Sequence, residues 1–137
     1  MAKRRRVPRG LLDTSVIIDF DLVDPEALPI ESAISALTLA ELAAGTHVAS
    51  TPDEAARRQD RLQRTEAALH PLPFDANSAR AYGRLYAAVA RGGRKPRGAR
   101  AVDLMIAATA LAEGVPLFTR NPKDFASLAG LVEVMPV

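Results

Sequence analysis

Gly10-Leu11-Leu12-Asp13-Thr14-Ser15-Val16-Ile17-Ile18 is the stretch on which the fold turns. It is apolar on both sides of a small polar break, so periodicity alone does not fix where strand gives way to helix. We read Gly10–Leu12 as a short strand and Asp13-Thr14 as the turn into a helix. A strand apolar at successive positions is one buried on both faces, as in a parallel sheet. Outward from it the chain alternates between the two kinds of element. Asp24-Pro25 and Leu28-Pro29 mark a loop, and Ser32–Leu37 reads as a second strand. Thr38 is expected to open a helix running to about His47, with Thr38 and Glu41 spaced as a capping box. Thr51 and Glu54 repeat that spacing before a longer helix, with Pro52 at its first position. Leu69–Phe74 follows as a brief strand, and Asp75 caps a helix that Gly92-Gly93 ends. Gly92–Gly98, with three glycines and a proline, reads as a mobile loop. Val102–Glu113 is expected to be helical, stopped by Gly114. Val115–Thr119 is the next strand, Asn121-Pro122 starts a helical turn, and Leu131–Met135 is the last strand. Such alternation predicts an α/β fold with a mainly parallel central sheet of four to five strands flanked by helices.

With 137 residues and 48% hydrophobic content, the chain fits one domain with a sizeable core. We expect that domain over residues 10–137, behind a solvated basic tail over residues 1–9. The tail carries Lys3, Arg4, Arg5, Arg6 and Arg9, yet Asp13 and Asp19 interrupt the apolar run that a signal peptide needs. No stretch approaches the roughly 20 apolar residues of a membrane span. Cysteine is absent, which excludes disulfides and thiolate metal sites and fits a cytoplasmic protein. The net charge of +2 conceals a strong segregation. Five cations lie in the first ten positions and five more are Arg91, Arg94, Lys95, Arg97 and Arg100. Eight basic residues then remain against sixteen acidic ones, so the body is acidic and the basic charge sits in two segments. A polyanion can use such segments as handles, since neutralising phosphates releases counterions.

In parallel α/β folds ligands bind beyond the carboxyl ends of the strands. Four acids fall there on this reading: Asp13 after the first strand, Glu41 in the helix after the second, Asp103 in the first turn of the alanine-rich helix, and Asp124 after Val115–Thr119. Each has an ordinary alternative role. Asp13 is placed to cap a helix, Glu41 to complete a capping box, Asp103 to favour a helix dipole, and Asp124 to sit on a surface turn. Gathered together, however, four carboxylates repel one another, and a divalent cation relieves that repulsion. A purely oxygen donor set suits Mg²⁺, with Mn²⁺ as a substitute. Such an ion polarises a phosphoryl oxygen and activates water for phosphodiester hydrolysis. Arg94, Lys95, Arg97 and Arg100 directly precede Asp103, where they are expected to hold the phosphates of a nucleic-acid backbone without reading sequence. His47 and His70 lack the partners of a zinc site, and Gly92-Gly93 lacks the spacing of a phosphate loop.

Four segments carry a resemblance: Leu11–Asp19 (LLDTSVIID), Ser35–Leu42 (SALTLAEL), Ala101–Ala110 (AVDLMIAATA) and Leu117–Phe125 (LFTRNPKDF). In that order they resemble a PIN domain of the VapC toxin type, from about Leu11 to the C-terminus. The resemblance implies a Mg²⁺-dependent endoribonuclease, the toxin of a type II toxin–antitoxin pair. It implies Asp13 and Asp103 as main metal ligands, with Glu41 and Asp124 completing the pocket directly or through water. Thr14, Ser15, Thr119 and Asn121 match the family's supporting polar positions. A homodimer and a VapB antitoxin, whose C-terminal segment occupies the active-site groove, are also implied. Two alternatives stay open: a catalytically inactive PIN-like module that binds RNA or protein, and a housekeeping RNA-processing nuclease. An aspartyl-phosphate phosphatase would want a second aspartate where Ser15 stands.

Overall fold

Leu11 and Leu12 explain the layering. Successive strand residues point to opposite faces of a sheet, and these two leucines, both fully buried, enter different cores. Leu11 packs with Leu85, Leu104, Ala107 and Phe125, whereas Leu12 packs with Val16, Ile34, Leu42 and Phe118. Leu117 and Phe118 repeat the alternation on the neighbouring strand. The computed structural model describes residues 5–137. Its strands are β1 (Arg9–Leu12), β2 (Glu31–Ser35), β3 (Pro71–Leu72), β4 (Leu117–Thr119) and β5 (Val134–Pro136). All pairings are parallel, in the order β3-β2-β1-β4-β5. The expected mainly parallel α/β sheet is therefore present, with five strands. Prolines occur only in β3 and β5, the two edges, where a missing N–H costs no ladder bond.

The helices are α1 (Thr14–Ile18), α2 (Ala36–Gly45), α3 (Pro52–Ala68), α4 (Ala76–Arg91) and α5 (Ala99–Glu113). They supply the long connections that parallel neighbours need. α4 and α5 pack against each other over one face, while α1, α2 and α3 cover the other. Thr51 Oγ1 accepts from Glu54 N at 3.1 Å and Asp75 Oδ1 from Ser78 N at 2.9 Å, so both expected caps form. Gly114 ends α5 in the left-handed conformation at φ 69°. Gly10 has a different reason to be glycine: a Cβ there would clash with the edge of the Phe118 ring, 2.8 Å from Cδ1, and press on Pro29 Cγ at 3.0 Å.

Three expectations are corrected. Thr38 does not open α2. Ser35 does, its Oγ accepting from Leu37 N at 3.1 Å, and Thr38 lies inside the helix, fully buried. α5 starts at Ala99 instead of Val102, because Ala99-Arg100-Ala101 are strong helix formers once Gly98 has turned the chain. Asp103 therefore stands one turn into the helix. Thirdly, pairing begins before Gly10. Arg9 is the first residue of β1, Ile30 N donates to Val7 O and Glu31 N to Pro8 O (both 2.9 Å), and Arg6 Nε donates to Leu28 O at 3.2 Å. Residues 1–4 of the basic tail, with Lys3 and Arg4, lie outside the described residues. Among the described residues no helix is long and apolar enough to cross a membrane.

Candidate active site

β1 ends by delivering Asp13 to the carboxyl edge of the sheet, where its backbone N–H donates to Phe118 O at 2.8 Å. The residue occupies the N-cap position of α1, yet its side chain makes no cap hydrogen bond. Its Oδ2 instead accepts from Ser15 Oγ and from Thr119 Oγ1, each at 2.8 Å. Both hydroxyls are themselves held: Ser15 Oγ accepts from Arg120 N at 3.1 Å, and Thr119 Oγ1 from Asn121 N at 3.0 Å. A hydroxyl has one proton to give, so each gives its proton to Asp13. Asp13 is only 4% exposed, and among the described residues no buried side-chain oxygen lacks a partner. Its unpartnered Oδ1 is consequently the atom that faces solvent.

Beside it, Thr14 Oγ1 donates to Glu41 Oε1 at 2.7 Å and touches Thr38 Oγ1 at 2.9 Å. This ties α1 to α2 and sets Glu41 next to the end of β1. Asp103, half-buried on α5, has its carboxyl pushed up to about 6. Burial is the largest cause, followed by the negative charges of Asp13, Glu41 and Asp124, with Arg100 acting in the opposite sense. The four acids thus share one electrostatic field. Asp124 is exposed, on the 3₁₀ segment Pro122–Leu128. Among the described residues, no three acidic or histidine side chains close around an ion unaided. The side chains gathered at this edge offer oxygen donors alone, which suit a hard divalent cation.

A cleft of about 280 Å³ opens beside Asp103 and Asp124, with Arg94, Lys95 and Arg100 on one wall and Lys123 on the other. Arg97 does not line it. Gly98, at φ 56°, turns the chain directly after Arg97, and Arg100 in the first turn of α5 lines the cleft again.

The PIN domain family model matches residues 10–131. The chain belongs to the PIN domain family. It is 38% identical over 128 residues to ribonuclease VapC5 of Mycobacterium tuberculosis, spanning 91% of each chain. Ribonuclease VapC4 of the same organism is 35% identical over 135 residues, covering 96% of this chain and 98% of that one. Among solved structures, the VapBC-5 toxin–antitoxin complex of M. tuberculosis superposes with a TM-score of 0.84 at 37% identity, over 95% of this chain and 99% of the matched chain. This PIN domain is therefore a homologue of VapC ribonucleases.

Within it, the structure brings Asp13, Glu41, Asp103 and Asp124 to one edge together with Thr14, Ser15 and Thr119. Asn121 contributes through its backbone N–H. Sequence reasoning missed Lys123, although it adjoins Asp124 in Asn-Pro-Lys-Asp. It also missed Arg120, whose Nε reaches Asp19 Oδ2 at 3.4 Å while its Nη1 donates to Val137 O at 2.9 Å. The signal available was Asp19 itself, an acid that directly follows the apolar Val16-Ile17-Ile18 run and caps the end of α1.

Proposed function

We propose that the chain is a metal-dependent endoribonuclease, the toxin of a VapBC-type pair, acting in the cytoplasm as one PIN unit over residues 10–137. The single observation that carries the reading is the shared field of four carboxylates at the carboxyl edge of the sheet, felt at Asp103. Asp13 Oδ1 and Asp103 are the main ligands for Mg²⁺ or Mn²⁺, with Glu41 and Asp124 acting directly or through water. When bound, the ion supplies Lewis-acid polarisation of the scissile phosphate and a water of lowered pKa. Ser15 and Thr119 keep Asp13 turned with one oxygen outward, so no reorientation is needed when charge develops. Arg94, Lys95, Arg100 and Lys123 hold the RNA backbone across the cleft.

The antitoxin is the proposed protein partner: its C-terminal segment occupies the active-site groove, and a second groove offers an anchor for another part of the same chain. It has a volume of about 640 Å³, an apolar floor including Leu12, Ile17, Phe20 and Leu28, and Arg57, Arg61 and Arg64 along α3. Ile18 and Phe20, both 50% exposed, border it. An amphipathic segment with acidic residues matches that floor and rim in polarity and charge. A homodimer belongs to the same proposal, with light scattering as its check.

Purified protein, freed of partner, is to be incubated with total RNA and Mg²⁺, in parallel with EDTA and with the Asp13→Asn/Asp103→Asn double variant. We expect discrete cleavage that needs both the ion and the carboxylates. Undiminished cleavage by a folded double variant would refute the assignment.

A further inference from the structure

Thr38 is fully buried, touches no solvent, and has a hydrogen-bonding pattern unlike Thr65 and Thr109, buried threonines of α3 and α5. Thr65 Oγ1 donates back to Arg61 O at 2.7 Å and Thr109 Oγ1 to Met105 O at 3.0 Å, the usual local bond of a helical threonine. Thr38 Oγ1 instead points across to Thr14 Oγ1 on α1. The direction of that bond follows from the next one. Thr14 Oγ1 donates its only proton to Glu41 Oε1, so it must accept from Thr38. Thr38 and Glu41 stand three residues apart on one face of α2, and Thr14 is gripped between them.

We infer that Thr38 is a positioning residue: it drives a one-way hydrogen-bond chain, Thr38 to Thr14 to Glu41, which holds one Glu41 oxygen and leaves the other for the reaction site. The inference rests on the reading of Glu41 as part of that site. A hydroxyl that both accepts and donates is polarised along the chain, strengthening its grip on the carboxylate. Without the Thr38 hydroxyl, Thr14 keeps a buried, unsatisfied lone pair and is free to rotate away from Glu41.

The test uses Thr38→Val, which preserves shape and removes the hydroxyl, and Thr38→Ser, which preserves the hydroxyl. Three quantities are read: the Mn²⁺ dissociation constant by calorimetry, and kcat and KM on an RNA that the protein cuts. Thr38→Val is expected to weaken Mn²⁺ binding and lower kcat by about threefold to tenfold, the worth of one net hydrogen bond, with KM unchanged. Thr38→Ser should restore both. In a Glu41→Gln background, Thr38→Val should add no further loss of Mn²⁺ affinity. Thr38→Ala takes the place of the valine variant if that one does not fold. Unchanged kcat and Mn²⁺ affinity in Thr38→Val, or a full further loss in the Glu41→Gln background, would overturn the inference. Normal cleavage and Mn²⁺ binding by Glu41→Gln would instead remove Glu41 from the site, a failure of the underlying reading that is visible before Thr38 is considered.

Discussion

At the scale of single residues, Asp103 holds the clearest sign of function, and it has a consequence for stability. Its carboxyl is raised from 3.8 to about 6 by burial and by three neighbouring acids. Between about pH 4 and pH 6 an unfolded chain has this group ionised while the folded one keeps it protonated. Folding then takes up a proton, so stability falls as pH rises through that window, and the loss is complete above about 6. Asp103→Asn removes the titration. In EDTA, its melting temperature should exceed the wild-type value by a margin that grows from pH 4 to pH 6 and then levels off. Mg²⁺ should narrow the margin by stabilising the wild type. A margin independent of pH would show that Asp103 does not carry this strain. The variant gains stability and loses cleavage, as expected where function is built on mutual repulsion. For Asp13 the sequence left a helix cap and a ligand equally open, and the structure sets the cap aside, since the side chain makes no cap hydrogen bond. Thr38 was misread because Thr-x-x-Glu describes equally well a capping box and an inward-facing pair three residues apart. Only the position of the helix start separates the two, and Ser35 takes the cap.

The elements explain which parts of the sequence were readable. Caps that depend on a local side chain, such as Thr51 and Asp75, were read correctly because nothing distant competes with them. Strand ends were not: Val115-Pro116 and Leu131–Glu133 read as strand, yet they contribute only single bonds ahead of β4 and β5, Pro116 O accepting from Leu11 N and Glu133 O from Leu117 N, each at 2.9 Å. The walls of the cleft are likewise set by elements far apart in sequence: the Gly92–Gly98 loop and the segment Pro122–Leu128. Neither run of charge says which of its members faces the other. The structure selects Arg94, Lys95 and Arg100 against Lys123 and leaves Arg97 outside the lining. The expected result is a graded salt dependence. Arg94→Ala with Lys123→Ala should flatten the slope of log affinity for single-stranded RNA against log salt by about 1.4, as two lost phosphate contacts would. Arg97→Ala should leave the slope as it is. Equal effects from Arg97 and from the pair, in filter binding across a salt series, would mean that the loop acts as diffuse charge and not as a wall.

At the scale of the whole molecule two surfaces differ in their lining and their chemistry. The acidic edge with its basic cleft suits a polyanion and a cation together. The second groove, walled by α3 and floored by β1, α1 and the 3₁₀ turns after it, has apolar surface that phosphate cannot use. Ile18 and Phe20 at 50% exposure and Leu22 at 72% are large side chains left in water in one short stretch, which in a small protein marks a surface that another chain covers. The Arg57, Arg61 and Arg64 rim adds a preference for an acidic partner segment. If this groove seats the antitoxin, its loss must separate inhibition from catalysis. Phe20→Glu places a negative charge on the apolar floor, outside the carboxylate cluster. It should weaken antitoxin binding by at least about tenfold, in the range of a disrupted aromatic anchor, while free protein cuts RNA at the wild-type rate. Titrating each protein with antitoxin in the cleavage assay reads both quantities at once. Loss of cleavage in the absence of antitoxin would tie the groove to the catalytic edge, and unaltered inhibition would move the antitoxin to another face.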